Sequence, residues 1–283
     1  MKIIKYLSLI IAVALTVSCE KHEIVYDAEP TSGMAEFQLH YYVPLSSAAI
    51  NNITRVDING KLYANNKAPL NTYSVIPGGT TGRFYAVNPG SVNIKMFLTT
   101  KWTKVDSLIY DQNVNMAAGK QNVMVHSYTA VPYVFDNGYP YQGNLTEKTD
   151  SICWIKFYNM LYENNASTPT TLRLQYQYID FRTNLPVNIG GPVAFGESTG
   201  WSKVTVVKDN EVSPGSRSMG LRCKVVDQSG AIIGDLQIMN SSGAYVNWTG
   251  TLTLAIARRY HHTFAGLRAA TTATAGVRVF TAL

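Results

Sequence analysis

The amino-acid sequence predicts an all-β fold, namely two immunoglobulin-like antiparallel β-sandwich domains in tandem. Three observations favour this fold class. Short segments of alternating apolar and polar residues recur at regular spacing between turn residues, as in sandwiches and barrels. No segment beyond the first 19 residues has the periodicity of an amphipathic helix. Tyrosine, which favours strands, occurs 18 times, and the chain is 46% hydrophobic but only 15% charged.

The first segment has the layout of a secretory signal. Lys2 and Lys5 form a short positive region, and an apolar run follows over 7–17, interrupted only by Ser8 and Thr16. This run is shorter than the roughly 20 apolar residues that a membrane-spanning helix needs. The pattern therefore favours a signal peptide over a permanent span, with a buried N-terminal helix as the alternative.

The signal ends in the letters LTVSC at 15–19, which resemble a bacterial lipobox. In that motif the cysteine is lipidated and becomes the first residue of the mature chain, so we expect acyl chains on Cys19 and a lipid bilayer as the partner. Two or more acyl chains give stable anchoring. Cleavage would remove Lys2 and Lys5 and lower the formal net charge from +6 to +4. A charge this small on a chain of this length does not indicate nucleic-acid binding. A secretory signal without lipid is the alternative.

Composition shifts divide the chain into five parts. A polar stretch with Pro30 and Gly33 follows the cysteine and predicts a tether. A second stretch, with two prolines and two glycines, predicts a linker between the domains. The predicted organisation is a lipoprotein signal peptide at 1–18, a tether at 19–33, an N-terminal β-sandwich domain at 34–131, a linker at 132–150 and a C-terminal β-sandwich domain at 151–283.

In the first half, the alternating segment 53–58 is followed by Asn59-Gly60, a strong signal for a two-residue hairpin turn. The predicted strands of this half are 35–43, 53–58, 61–63, 83–87, 91–98, 108–116 and 121–128. Those of the second half are 151–158, 171–180, 201–208, 217–227, 231–239, 250–257, 259–265 and 276–282.

The two halves have a similar pattern. Residues 114–128 align with 252–266, since both begin with alternating apolar residues, then carry a basic residue (Lys120 or Arg258), and end in a strand. This similarity indicates an internal duplication in which each half buries one sheet face on another.

The first half also carries the segments RVDINGKLY, TYSVIPGG and MAAGKQNVMVHSY. In these it resembles the Bacteroidetes surface-lipoprotein domain family of unknown function numbered 4397, over about 35–135 with a weaker echo in 151–283. Asn122 stands where that family usually has tyrosine. The resemblance implies tandem β-sandwiches behind a lipobox and a place at the cell surface, with an adhesion-like role.

The family's export pattern implies acidic residues just after the lipid cysteine, and the chain has Glu20 and Glu23 there. We therefore expect an outer-membrane lipoprotein exposed at the cell surface, with a periplasm-facing anchor as the alternative. The triplets that carry Ser107 and Ser151 match the Asp-Ser/Thr-apolar pattern that such bacteria glycosylate.

Two cysteines remain beside the lipidated one. Cys153 and Cys223 each lie on an apolar face of a predicted strand, which favours two small core residues. A disulfide between them stays open at this stage. Neither is part of a Cys-x-x-Cys motif, so a zinc site is not predicted.

No catalytic constellation or cofactor motif stands out. His261 and His262 are adjacent and point to opposite faces of a strand, while His40 and His126 are expected to be half-buried strand residues. We predict no metal site. Residues 196–200 spell Gly-x-Ser-x-Gly, but a strand rather than a helix is predicted after them, so a nucleophile elbow is not expected. Asp180, Glu197 and Asp209 are acids at strand ends without a supporting motif.

Aromatic residues in or beside predicted loops are the remaining binding signal. Sugars stack on aromatic rings, and tyrosine hydroxyls supply hydrogen bonds. The alternative is that these rings close the ends of the sandwiches. The candidate ligand-binding residues are Trp102, Tyr133, Tyr139, Tyr141 and Trp201.

These observations together predict a non-enzymatic, membrane-anchored cell-envelope lipoprotein for adhesion or for capture of glycan or protein. The alternative is a structural or accessory subunit of a nutrient-uptake or fimbria-like envelope assembly, in which an exposed sheet edge accepts a partner strand. A hydrolase built on loop carboxylates is a third, less favoured hypothesis. The oligomeric state stays open.

Overall fold

Twenty β-strands and one short 3-10 helix at Ala49–Asn51 make up the regular structure of the residues that the structure describes. The computed structural model describes residues 31–78, 82–99, 105–136, 138, 151–206, 215–271 and 274–282. The all-β fold class is confirmed over these residues. The predicted signal peptide, Cys19 and most of the predicted tether and linker lie outside them.

The first half forms two sheets. Sheet I has the strand order β4-β1-β8-β9, with β5 also paired to β1, and sheet II has the order β3-β2-β6-β7. The strands are β1 (Ala35–Tyr41), β2 (Arg55–Ile58), β3 (Lys61–Ala64), β4 (Val75–Ile76), β5 (Tyr85–Val87), β6 (Gly90–Thr99), β7 (Asp106–Met116), β8 (Gly119–Val125) and β9 (Tyr133–Asp136).

The second half forms two larger sheets and a small hairpin. Sheet III has the order β13-β10-β19-β20, sheet IV has the order β12-β11-β14-β15 with β18 also on β14, and β16 pairs with β17. The strands are β10 (Ile152–Tyr162), β11 (Arg173–Ile179), β12 (Pro186–Asn188), β13 (Ser202–Thr205), β14 (Ser216–Val226), β15 (Ile232–Asp235), β16 (Gln237–Met239), β17 (Tyr245–Asn247), β18 (Thr249–Ala255), β19 (Arg259–Leu267) and β20 (Gly276–Thr281).

The two halves have the same strand connectivity. The first strand of each half, β1 or β10, pairs in parallel with a late strand, β8 or β19, which then pairs antiparallel with the strand that follows it. The chain is also similar where β8 and β19 begin, because Gly119, the first residue of β8, and Ala257, just before β19, both have positive φ. The N–H of Gly119 donates to Met34 O, just before β1, and the N–H of Ala257 donates to Ile152 O, at the first residue of β10. This agreement extends the pattern shared by 114–128 and 252–266.

Three buried layers lie between the four sheets. Sheets I and II enclose one apolar core, and sheets III and IV enclose another. Alternation along the strands explains both, because every second residue of β1 and β10 faces inward. The third layer lies between sheets I and III, and we call it the seam. Its buried members are Tyr42, Tyr73, Met124, Tyr158, Met160 and Ala265, and Tyr133, Phe135 and Phe280 pack against it.

Several sequence-based expectations can be compared with this fold. The hairpin at Asn59-Gly60 is confirmed, with positive φ at both turn residues. The predicted antiparallel sheets are present, and the structure adds the parallel pairs β1–β8 and β10–β19, which the sequence did not predict. The predicted linker at 132–150 begins with a strand, because β9 pairs with β8 and completes sheet I. Contacts join Ser32–Leu283 into one compact unit, and the tandem-domain boundary stays a prediction.

Candidate functional site

The seam concentrates the polar and titratable side chains of the interior. Strand alternation turns one face of β1 and β8 toward their apolar core and the other face toward sheet III. His40 and Asn122 lie on the second face, at neighbouring positions of these two strands. From the opposite sheet, β10 contributes Tyr158 and β19 contributes His261. All four residues are fully buried.

A hydrogen-bonded chain crosses the seam through Asn122. Its Oδ1 lies 3.2 Å from Nε2 of His40 on the same sheet. Its Nδ2 donates to the hydroxyl of Tyr158 at 3.3 Å and lies 3.2 Å from Nε2 of His261. The Tyr158 hydroxyl is 2.8 Å from Nδ1 of His261, which closes the network. A single amide therefore connects one histidine of each half.

Aromatic rings surround this network. Phe280 lies edge-on to His40 at 5.3 Å between centroids, and Tyr42 stacks on the other side at 5.6 Å. Phe135 contacts Tyr158 edge-on at 4.9 Å across the seam. Such ring pairs contribute beyond simple area burial, roughly 0.5–1.5 kcal/mol each. The seam is thus packed mainly by rings and polar groups rather than by aliphatic side chains.

Burial keeps these histidines neutral. Desolvation lowers the pKa of His40 to about 4, although its hydrogen bond with Asn122 acts in the opposite direction. Desolvation also lowers the pKa of His261 well below its ordinary value, and the nearby His40 and Lys156 lower it further. His262 points the opposite way, into the core of the second half, where burial lowers its pKa to about 3.

A third histidine lies where the same two sheets meet near the end of β8. His126 is 2.7 Å from the hydroxyl of Tyr162, and Tyr133 stacks on it at 4.7 Å between centroids. Phe195 closes the group with edge contacts to both His126 and Tyr162. This arrangement is a packed junction between the halves, and burial lowers the pKa of His126.

The structure confirms one of the histidine expectations and corrects the other. The opposite directions of His261 and His262 are confirmed, because one joins the seam and the other contacts Tyr176 in the core. His40 and His126 are fully buried or nearly so rather than half-buried. Sequence reasoning missed Asn122 and Tyr158, since their partners lie more than 30 positions away. One signal in the sequence could have indicated these residues: they are polar side chains on predicted strands whose other residues are mostly apolar.

Two of the five predicted ligand-binding aromatics lie within the described residues, and both border the seam. Tyr133 packs on His126 and Phe195, and its ring lies directly against the backbone of Gly196. Trp201 lies 5.1 Å from the His261 ring. The structure therefore does not bring these two together as an exposed cluster. Trp102, Tyr139 and Tyr141 lie outside the described residues.

The other candidate residues form no reactive group among the residues described. Ser198 bridges to Tyr158 in an extended segment, without the helix that a nucleophile elbow needs. Asp180 closes a turn through the N–H groups of Arg182 and Thr183, and Glu197 accepts the N–H of Ala194. Asp209 is not among the described residues.

Both internal cysteines are free thiols in the second core. Burial raises the pKa of Cys153 to about 12 and also raises that of Cys223, so neither is a thiolate at neutral pH. The expectation of two small core residues is confirmed.

No group of three or more histidine, cysteine or acidic side chains is placed to hold a metal ion in the part of the chain that the structure describes. Among the described residues, no helix has the length and apolar character to cross a bilayer.

Exposed apolar side chains form a second notable feature. Four of the large ones lie within 15 residues on β15 and β17: Ile232, Ile233, Tyr245 and Val246, which are 55%, 65%, 45% and 40% exposed. β15 pairs with β14 on one side and is the last strand of sheet IV in the described residues. We call these four residues the apolar strip. Edge strands with exposed apolar side chains favour pairing with another chain.

The opposite edge of sheet IV differs. β12 begins at Pro186, which cannot donate a hydrogen bond, and carries a smaller exposed apolar contribution from Val187. The asymmetry makes β15 the more open edge.

No family model and no curated protein sequence matches this chain. The resemblance to family 4397 therefore stays a prediction.

Proposed function

We propose that the protein is a non-enzymatic cell-envelope lipoprotein, anchored in the outer membrane by acyl chains on Cys19, that captures a protein at the cell surface. The apolar strip is the observation that carries this proposal. Ile232 and Ile233 lie on the edge strand β15 and are exposed. Asp235, at the end of the same strand, forms an ion pair with Lys224 at 2.6 Å. An extended segment of a partner can pair with such an edge through its main chain.

The histidines support a binding role over catalysis. A general base must reach its substrate and have a pKa near the working pH. His40, His261 and His262 are fully buried with lowered pKa values, and His126 is nearly so. These are properties of structural residues.

Protein capture is favoured over glycan capture. Sugar recognition by stacking needs exposed rings. Tyr133 and Trp201 are engaged in packing at the seam, whereas the apolar strip is exposed. Glycan binding through the remaining predicted aromatics is the second candidate for the ligand.

The test compares two double variants of the full chain. Ile232→Lys/Ile233→Lys alters the strip, and Val105→Lys/Leu108→Lys is the matched control, since Val105 and Leu108 are also exposed and lie on or beside an edge strand. Binding is measured to immobilised extracellular-matrix proteins and to a glycan panel. We expect the wild-type chain to bind a matrix protein. We expect the affinity to fall by about tenfold or more, which is about 1.4 kcal/mol, in the strip variant and not in the control.

Three results would contradict the proposal. One is equal binding by both variants. Another is binding to glycans alone. The third is turnover of a polysaccharide or peptide by the purified chain.

The alternative is an accessory subunit of an envelope assembly. In that case the β15 edge is filled by a strand of a fixed partner, so a stoichiometric partner copurifies with the wild-type chain and not with the strip variant. Matrix proteins are then not retained.

The anchor and its orientation have separate tests. Cys19→Ala is expected to release the protein from membranes, and continued retention would refute the lipid anchor. Protease added to intact cells is expected to digest the protein while a periplasmic control stays intact. Protection until the outer membrane is opened would place the protein on the periplasmic side.

A further inference from the structure

The seam has an unusual balance of charge for a buried layer. Two imidazoles, His40 and His261, face each other through Asn122 and are fully enclosed. Each is neutral, and the hydrogen-bond partners that the structure gives them are an amide and phenol hydroxyls rather than carboxylates. Among the described residues, no ion pair involves either histidine.

The charged groups that border the seam are mostly basic. They come from β8, β10, β13, β19 and β20 and are Lys120, Lys156, Lys203, Arg259 and Arg278. The acidic ones are Glu36 on β1, Asp136 on β9 and Glu197 in the segment beside β10.

The acids that border the seam already have partners. Glu36 lies 4.0 Å from Lys120, Asp136 accepts the N–H of Gly138, and Glu197 accepts the N–H of Ala194. Burial raises the pKa of Tyr42, whose phenol faces His40, so this group is also neutral. Among the described acids that border the seam, none is left without a partner to balance a proton added to either imidazole.

Two basic side chains lie in the seam itself. Lys156 is almost fully buried and donates to the backbone oxygen of Asp136 at 2.6 Å. Arg278 lies over the Tyr73 ring at 4.2 Å and donates to Thr274 O. Because like charges repel strongly where water is excluded, Lys156 makes protonation of His261 still more costly.

We propose that the seam is an acid-operated junction, in which proton uptake by His40 and His261 separates sheet I from sheet III while the two outer cores stay packed. In the part of the chain that the structure describes, the outer core of the first half is built from apolar side chains and contains no histidine. The core of the second half contains His262, whose neutral imidazole contacts Tyr176 on the far side of β19. Opening exposes two aromatic-rich faces that carry Tyr42, Phe135 and Phe280.

The separation is expected at mildly acidic pH, and it is expected first at the seam because the seam holds two imidazoles in one buried network, whereas the described part of the second core holds one, His262. Burial lowers the pKa of all three, to about 4 for His40 and about 3 for His262. The stability that depends on neutral histidine is complete above the ordinary pKa of 6.5 and is lost as pH falls. The inference does not depend on what the protein captures.

Methionines provide an internal probe for this junction. Met124 and Met160 are fully buried in the seam. Met96 and Met219 are buried in the first and second outer cores. Peroxide oxidises a thioether according to its exposure. Met239, which is half-buried on β16, serves as the reference for reagent strength at each pH.

The experiment treats the purified full chain with hydrogen peroxide at about pH 7.5 and about pH 4.5 and quantifies each methionine by mass spectrometry. We expect oxidation of Met124 and Met160, normalised to Met239, to accelerate by about tenfold or more at the lower pH. Met96 and Met219 are expected to change by less than about twofold, and neutralisation is expected to restore protection.

A double variant, His40→Gln/His261→Gln, retains hydrogen-bonding groups but cannot take up these protons. Its seam methionines are expected to stay protected at both pH values. His22→Gln is the matched control, since it removes a histidine from the predicted tether, and it should behave as wild type.

Three results would overturn the proposal. In one, peroxide oxidises Met124 and Met160 at low pH as slowly as it oxidises the methionines of the two outer cores. In another, all buried methionines accelerate together, which indicates global unfolding. In the third, the double variant opens with acid as wild type does.

If the double variant is already open at neutral pH, the wild-type profile decides. The proposal is supported if oxidation of Met124 and Met160 alone accelerates below about pH 6.5, with a pH dependence steeper than the uptake of one proton would give. A shallower pH dependence, or acceleration at all buried methionines, refutes it.

Discussion

The two outer cores and the seam are all layers between β-sheets, yet they are built from different chemistry. In the second core, Phe157 stacks on Tyr176 at 4.4 Å amid aliphatic side chains. In the seam, an amide, a phenol and two imidazoles are buried together in a hydrogen-bonded network. Apolar packing does not depend directly on pH, whereas a buried polar network is stable only while each of its members keeps its protonation state. We therefore expect the junction between the halves to be more sensitive to pH than the two outer cores.

The largest effect is expected from breaking a core. Phe157→Ala removes a fully buried ring that stacks on Tyr176, so it leaves a cavity in the second half. We expect the free energy of unfolding to fall by about 4 kcal/mol, measured by urea denaturation. Leu185→Ala, at an exposed site, is the control. A loss below about 1 kcal/mol would show that the core is not packed as described.

The next effect is the pH dependence of the seam. His40 has a folded-state pKa of about 4 against its ordinary 6.5, so its contribution to stability is complete above pH 6.5 and is lost as pH falls. Between these values His40 alone accounts for about 3 kcal/mol of the free energy of unfolding. Urea denaturation across this range measures the loss. In His40→Gln, the free energy of unfolding should depend less steeply on pH. An unchanged pH dependence in that variant would show that His40 is not the residue whose protonation destabilises the fold.

Removal of the central amide should cost less. Asn122→Leu leaves His40 and His261 without their shared partner, and a buried polar group without a partner costs about 1–3 kcal/mol. We expect a loss of about 2 kcal/mol in urea denaturation. Asn113→Leu on exposed β7 is the control. Equal stability of the two variants would show that the network contributes nothing.

The smallest effect on stability is expected at the apolar strip. Ile232→Lys and Ile233→Lys alter exposed side chains, so the free energy of unfolding should change by less than about 0.5 kcal/mol. The thermal midpoint checks this. A loss above about 1 kcal/mol would show that these isoleucines stabilise the fold and are not available for a partner.

The strands themselves were predictable because local pattern determines them. Residues 91–96 alternate strictly, and β6 includes that segment with Val92, Ile94 and Met96 buried. Asn59 and Gly60 adopt the left-handed conformations that the hairpin turn requires. The short β4, β12 and β17 were missed, since two or three residues carry too little periodicity.

The seam was not predictable in the same way. Tyr133–Asp136 lies in a stretch rich in prolines and glycines, and its pairing with β8 depends on tertiary contacts. His40 and Asn122 are neighbours only because β1 and β8 pair in parallel over a separation of 82 residues. Sequence alternation shows that each of these residues lies on the face of its own strand that points away from the apolar core. It does not show that a second sheet covers that face.

The most direct test of the account is a double-mutant cycle across the seam. Asn122→Ala and Tyr158→Phe alter a hydrogen bond between the first and second halves, with 3.3 Å between Nδ2 and the hydroxyl oxygen. The single and double variants are compared by urea denaturation at neutral pH. If the seam joins the halves, the two changes are non-additive, with a coupling energy of about 0.5–3 kcal/mol. Additivity within about 0.3 kcal/mol would contradict the account, because it would mean that the two residues do not interact.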